Sequence, residues 1–154
     1  MIRNYGWIAL TTLLLDQAVK LLSQHLARTL TLIPGVLAFT YAENTGMAFS
    51  LLSGRSWLLG IASLLVILLG WLFLRRYRLG KLPACAAMLM LGGALGNMID
   101  RLLRGYVVDM FEVLLFRFAI FNVADAALTV GCILMAASLL WRPCDWSEKK
   151  HEHA

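Results

Sequence analysis

Charge is scarce in this chain. Asp, Glu, Lys and Arg together make up 15% of its 154 residues, while 60% are hydrophobic. A soluble domain carries about 25% charged and 45–50% apolar residues, and a body this small has too little interior to bury the excess. The shortage excludes a soluble globular enzyme, a disordered chain and a collagen-like chain, and it leaves a membrane protein. Cysteine is scarce too. Cys85, Cys132 and Cys144 are odd in number and show no CxxC or CxxH spacing, which argues against a disulfide framework and for small buried hydrophobes. Of the three histidines, His25 stands alone and His151 and His153 lie in a polar tail, so no metal site is expected. No repeat, low-complexity linker or second domain is visible, and residues 1–154 read as one integral-membrane domain.

What is present in quantity is long apolar runs. A spanning helix needs about 20 mostly apolar residues, and four stretches qualify: Tyr5–Leu22, Ser56–Leu74, Leu82–Ile99 (the helix continuing to Arg101) and Phe118–Trp141. The first follows Arg3 as a signal peptide would, but Asp16 and Lys20 interrupt it and no small-x-small cleavage site follows. Four spans put both termini and the second connector on one side. That connector, Arg75-Arg76-Tyr77-Arg78-Leu79-Gly80-Lys81, packs four cations into seven positions. It reads as a topology signal rather than a nucleic-acid or lipid patch, and it places both termini in the cytoplasm. Arg3, Arg142, Lys149 and Lys150 join it there. The outer cations are matched by acids, among them Asp16, Glu43, Asp100, Asp109, Glu112 and Asp125. A polar tail begins at about Pro143 and is expected to be disordered.

Two outer segments are rich in β-formers. Residues 29–41 contain Thr29-Leu30-Thr31-Leu32-Ile33, a turn at Pro34-Gly35, and Val36 to Tyr41. Residues 106–121 are again β-branched and aromatic. Together they predict a small sheet on the outer membrane surface, beside an otherwise all-α bundle.

Polar residues at membrane depth cost about 2.5–3.5 kcal/mol each on insertion scales, so their grouping is informative. Asp16 and Lys20 are four apart, share a helix face and can pair, with Lys20 snorkelling outward. Gly92 and Gly96 have small-xxx-small spacing, which lets another helix approach. Asn97, Asp100 and Arg101 follow at i, i+3, i+4 and point one way. Asp109 and Asp125 sit among apolar neighbours on either side of one outer connection. Two readings of that pair are open. Close together in an apolar setting, they share a proton, one acting as base toward water and the other polarising a carbonyl. Alternatively they are unrelated, Asp125 being a helix N-terminal acid favoured by the dipole. Asn44-Thr45-Gly46-Met47-Ala48-Phe49-Ser50 suits either a generic turn or a peptide or lipid-headgroup contact. An ion path through the protein is a rival, but it calls for polar residues through the full bilayer depth, and the second span carries no charge.

These residues fall into four ordered blocks: Asp16-Gln17-Ala18-Val19-Lys20; Asn44-Thr45-Gly46-Met47-Ala48-Phe49-Ser50; Gly92 to Arg101 continuing through Gly105-Tyr106-Val107-Val108-Asp109; and Phe121-Asn122-Val123-Ala124-Asp125-Ala126. In this order, over nearly the whole chain, they resemble bacterial lipoprotein signal peptidase, also called signal peptidase II. The resemblance implies an aspartyl endopeptidase of the bacterial inner membrane, with its site facing the periplasm. Its substrate would be a diacylglyceryl-modified prolipoprotein, cut just before the lipidated cysteine. Carried onto this sequence, Asp109 and Asp125 become the catalytic dyad. Asn44, Gly46, Asn97, Arg101 and Asn122 bind or position the substrate or the dyad, and Asp16, Lys20 and Asp100 give structural support. Membrane phospholipid and globomycin-type inhibitors are implied partners. Nucleic acid, metal and organic cofactor are not. Met47 departs from the family's usual Ala and bears on substrate fine-tuning.

Overall fold

The computed structural model describes residues 2–46 and 55–148. Residues 47–50 of the second block, Met47 among them, lie outside the described residues, as do Lys149, Lys150, His151 and His153. A 3-10 turn at Ile2–Tyr5 leads into α1 (Gly6–Gln24). Then come β1 (Leu30–Ile33), β2 (Leu37–Asn44) and α2 (Ser56–Leu74). The second half runs β3 (Tyr77–Leu79), α3 (Lys81–Leu103), β4 (Val107–Val113), α4 (Val123–Trp141) and β5 (Trp146–Glu148).

The polarity of α1 is inside out. Its buried residues are Ala9, Thr12, Asp16, Lys20 and Ser23, spaced three and four apart as one helical stripe. The apolar residues lie outside, with Trp7 and Leu22 each 65% exposed. The polar stripe faces protein, where its buried groups find partners. α3 is the partner it finds. Gly92 and Gly96 bring the two backbones together: a Cβ on Gly92 would meet the Ala9 carbonyl oxygen at 2.7 Å, and one on Gly96 the Asp16 Oδ2 at 2.5 Å. Gly93, one position round, does the same for α4, with the Ala124 carbonyl oxygen 2.5 Å away. Small residues on two faces thus make α3 the central helix, packed against α1, α2 and α4.

Among the described residues, three helices are long and apolar enough to cross a membrane: Ser56–Leu74, Lys81–Leu103 and Val123–Trp141. α1 has the length, but Asp16, Gln17 and Lys20 dilute its apolar character.

At one end, β1, β2 and β4 form an antiparallel sheet in the order β1-β2-β4. The expected turn at Pro34-Gly35 joins the first two, Gly35 adopting φ +70°, a conformation glycine enters without a Cβ penalty. β2 pairs with β4 from Leu37↔Val113 to Asn44↔Val107, with a bulge between Phe39 and Ala42. The bulge offsets the strands so that Asn44 and Asp109 share a face.

Three features differ from the sequence reading. The fourth helix begins at Val123, not Phe118, because Asn122 caps it and Phe121 is extended, bridged to Phe111. An apolar run such as Phe118 to Phe121 has no periodicity that separates strand from helix. The tail is ordered through Glu148: β5 pairs with β3, and the Gly80 N–H donates to the Asp145 carbonyl at 2.7 Å. Packing of Trp146 against Tyr77, at 5.6 Å between ring centroids, holds it there. Finally, Lys20 does not snorkel; its side chain is wholly buried.

Candidate functional site

The base of the site is an ionic triad. Lys20 Nζ lies 2.8 Å from Asp16 Oδ2 and 2.7 Å from Asp100 Oδ2, and it donates to Asn97 Oδ1 at 3.0 Å. An ammonium has three donors, and all three are used. All three charged side chains are inaccessible to solvent. Gln17, which the sequence reading gave no role, ties the two acids further, donating to Asp16 Oδ2 at 3.2 Å and Asp100 Oδ1 at 3.3 Å. Its position beside Asp16 was the available signal. Asp16 Oδ1 also accepts from the Ala124 N–H at 2.9 Å, which pins the start of α4 against α1.

Upon this base sit the two isolated aspartates. Asp125 is the third residue of α4 and closes a capping box with Asn122. The Asn122 N–H donates to Asp125 Oδ2 at 3.2 Å, and the Asp125 N–H donates to Asn122 Oδ1 at 2.9 Å. This satisfies donors that a helix start leaves open. The remaining Asp125 oxygen, Oδ1, accepts from Asn97 Nδ2 at 2.8 Å.

Asp109, on β4, is 3% exposed. Its Oδ1 accepts from Asn122 Nδ2 at 2.7 Å and its Oδ2 from Asn44 Nδ2 at 3.0 Å. Asn122 Nδ2 also reaches Asn97 Oδ1 at 3.1 Å, so the Asn122 and Asn97 amides together join both carboxylates to the lysine triad. Burial pushes the Asp109 carboxyl up to about 6, helped by the nearby charge of Asp125 and opposed by the two asparagine donors. Every carboxylate oxygen of the pair has one protein donor and spare lone pairs, enough to engage a water or a substrate group.

Arg101 and Gly46 complete the rim. The Gly46 N–H donates to Asn44 Oδ1 at 3.0 Å, a turn that orients the asparagine. Arg101 Nη2 approaches the Gly46 carbonyl at 3.5 Å. A cavity of about 300 Å³ holds Asn44, Asn97, Arg101, Asp109 and Asp125 together. It adjoins a larger one of about 840 Å³ over the sheet, with Asn44 and Asp109 common to both. All ten residues named from the sequence therefore fall into one connected assembly: six at the cavity and its rim, Asn122 buried and bonded to both aspartates, and three in the buried triad below. Leu128 and Thr129 also line the smaller cavity; they lie one turn beyond Asp125, and helical spacing from that residue could have found them. Among the described residues, no group of three or more His, Cys, Asp or Glu side chains is arranged to hold a metal ion.

A family model described as signal peptidase (SPase) II matches residues 8–141. A lipoprotein signal peptidase of Latilactobacillus sakei is 46% identical over 111 residues, covering 71% of this chain and 74% of that protein. Another, from Nostoc sp., is 40% identical over 148 residues, covering 89% and 90% respectively. A solved structure, described as a bacterial membrane enzyme determined in meso at 2.3 Å resolution, superposes with a TM-score of 0.85 at 31% identity, covering 97% of this chain and 95% of that one.

Proposed function

The chain belongs to the signal peptidase II family, and on that premise we propose that it is an aspartyl endopeptidase acting through Asp109 and Asp125. Its substrate is a prolipoprotein whose cysteine already carries a diacylglyceryl group, cut just before that cysteine. The observation that carries this reading is the Asn122 bridge, whose side chain bonds Asp109 at 2.7 Å and whose backbone bonds Asp125 at 3.2 Å. A buried carboxylate and a half-buried one, fixed to one residue beside one cavity, are placed to share a proton.

In the reaction, the ionised carboxylate takes a proton from a water lodged between the pair. That water adds to the scissile carbonyl, while the protonated carboxyl donates a hydrogen bond to the carbonyl oxygen. Collapse of the tetrahedral intermediate breaks the C–N bond, and the leaving amine takes a proton from the dyad. Asn44 holds Asp109 from the sheet, and Asn97 holds Asp125 from the bundle. Arg101 and Gly46, at the rim, position the peptide. Asp16, Lys20 and Asp100 fix α1 and α3 beneath them.

In this reading α1 is a fourth span, its polar stripe sealed against α3. Both termini and the Arg75–Lys81 connector face the cytoplasm, and the sheet and the site lie at the periplasmic surface of the bacterial inner membrane. Lipid holds the substrate cysteine at that depth, so proximity supplies much of the rate. A globomycin-type cyclic peptide would compete for the same cavity. The test is cleavage of a diacylglyceryl prolipoprotein by the purified protein in detergent, beside Asp109→Asn and Asp125→Asn. Loss of cleavage in both, with folds intact, is expected. Robust cleavage by either variant refutes the assignment.

A further inference from the structure

α2 packs on α3 but barely on α4. Between them, over α3, runs an apolar groove of about 160 Å³. Gly70 and Trp71 wall it from α2, Leu91 and Ala94 floor it from α3, and Leu128 and Met135 close it from α4. No charged side chain lines it. Its outer end meets the catalytic cavity: Leu128 lines both, and Ala94 lies one turn before Asn97. It runs from there toward the opposite end of the bundle, where Leu74 and Ala87 line it.

Size and chemistry select the occupant. A peptide helix is about 10–12 Å across with its side chains and could seat little more than one side chain in a groove of this volume, whereas a stretch of a single hydrocarbon chain lies along it. A chain whose far end is tethered beside the two carboxylates would follow the groove's line. We propose that the α2–α4 groove holds one acyl chain of the substrate's diacylglyceryl group, entering sideways from the bilayer. This rests on the peptidase reading above and adds a lipid subsite to it. Leaving the bilayer for the groove gains little hydrophobic energy, because lipid tails are as apolar as the lining. The benefit is orientation: a seated chain holds the cysteine next to the carboxylates.

Gly70 makes this testable, because a Cβ placed there meets nothing within 4 Å. Gly70→Phe fills the groove from a helical position where glycine is the poorer helix former. Leu69→Phe, at a position 64% exposed, places the same phenyl ring on the outer surface. Each protein, full length in detergent, is assayed on prolipoprotein carrying palmitoyl or hexanoyl chains. Gly70→Phe is expected to raise KM for the palmitoyl substrate roughly tenfold, the scale of an overpacked contact. It leaves kcat and the hexanoyl substrate unchanged, and Leu69→Phe changes neither. An equal loss on both substrates, or no loss, overturns the subsite. On the unmodified protein, a photoreactive acyl chain on the substrate is expected to label Leu91 or Met135. Labelling there only by a photoreactive phosphatidylglycerol assigns the groove to bilayer lipid and overturns the proposal. If the parent protein cleaves neither substrate, the peptidase reading falls and the subsite with it; cleavage indifferent to Gly70→Phe removes the subsite alone.

Discussion

Asp109→Asn is expected to make the folded protein more stable near neutral pH while abolishing cleavage. The carboxyl moves from an ordinary 3.8 to about 6 on folding, and each unit is about 1.4 kcal/mol. An acid whose pKa is raised by folding stabilises fully below its unfolded value, and that stability drains away as pH rises through the folded one. The parent therefore loses about 3 kcal/mol from this group between pH 4 and pH 7. Asparagine has no such loss. It does have one acceptor fewer, and both Asn44 and Asn122 present an amide nitrogen to this residue, so one hydrogen bond goes, at about 1 kcal/mol. The variant should be about 2 kcal/mol more stable than the parent at pH 7.5 and about 1 kcal/mol less stable at pH 4. Unfolding in detergent, followed through the chain's five tryptophans at the two pH values, measures the crossover. A stability difference of the same sign and size at both would show that Asp109 is not held against its own ionisation, and the reasoning would fail.

Other outcomes follow from the same geometry. Lys20→Met leaves Asp16 and Asp100 buried without their cation, and breaking a buried pair in this way costs about 3–5 kcal/mol; the variant should fail to yield folded protein, and adding Asp100→Asn should recover part of the yield. Asn122→Ala removes the N-cap of α4 and the bridge to Asp109 together. It should cost about 1 kcal/mol of stability and at least a hundredfold in kcat, so full activity would count against the bridge. Asn44→Ala removes a donor that favours the ionised form of Asp109, so the limb of the kcat/KM profile near pH 6 should move to higher pH; a downward shift contradicts the electrostatics. Gly93→Leu drives a side chain into the Ala124 carbonyl oxygen, 2.5 Å from the first added carbon, and should separate α3 from α4, read as loss of both thermal stability and cleavage.

Much of this arrangement is legible from composition and spacing. The i,i+4 pair at Asp16 and Lys20, the small residues at Gly92 and Gly96, and the turn at Pro34-Gly35 follow from rules that act within a few residues, and each appears where those rules place it. The sheet too was foreseeable, since both outer segments are β-formers. What spacing left undecided was whether Asp109 and Asp125 belong together. Their meeting depends on Asn122, a residue whose local signal is only that of a helix cap, while the β2 bulge brings Asn44 to Asp109. Asp100 joining Lys20 is likewise a fact of packing, because it needs the glycine face of α3 to bring α1 within reach. The ordered tail was missed because β5 is three residues long and its partner is a basic connector that reads as topology alone. The late start of α4 was missed because an apolar run looks alike as strand or helix.

The self-pairing of Asp16 with Lys20 has a bearing on how the protein is made. In the proposed topology, with α1 as the first span, α1 leaves the ribosome long before α3, so for a time its two charges have no other partner. Held one turn apart on one face, they neutralise each other, and the helix can wait in lipid as a nearly neutral segment. When α3 arrives with Asp100 and Asn97, the lysine keeps Asp16 and gains two further partners. The contact that lets the first helix survive biogenesis then becomes the keystone under the finished site.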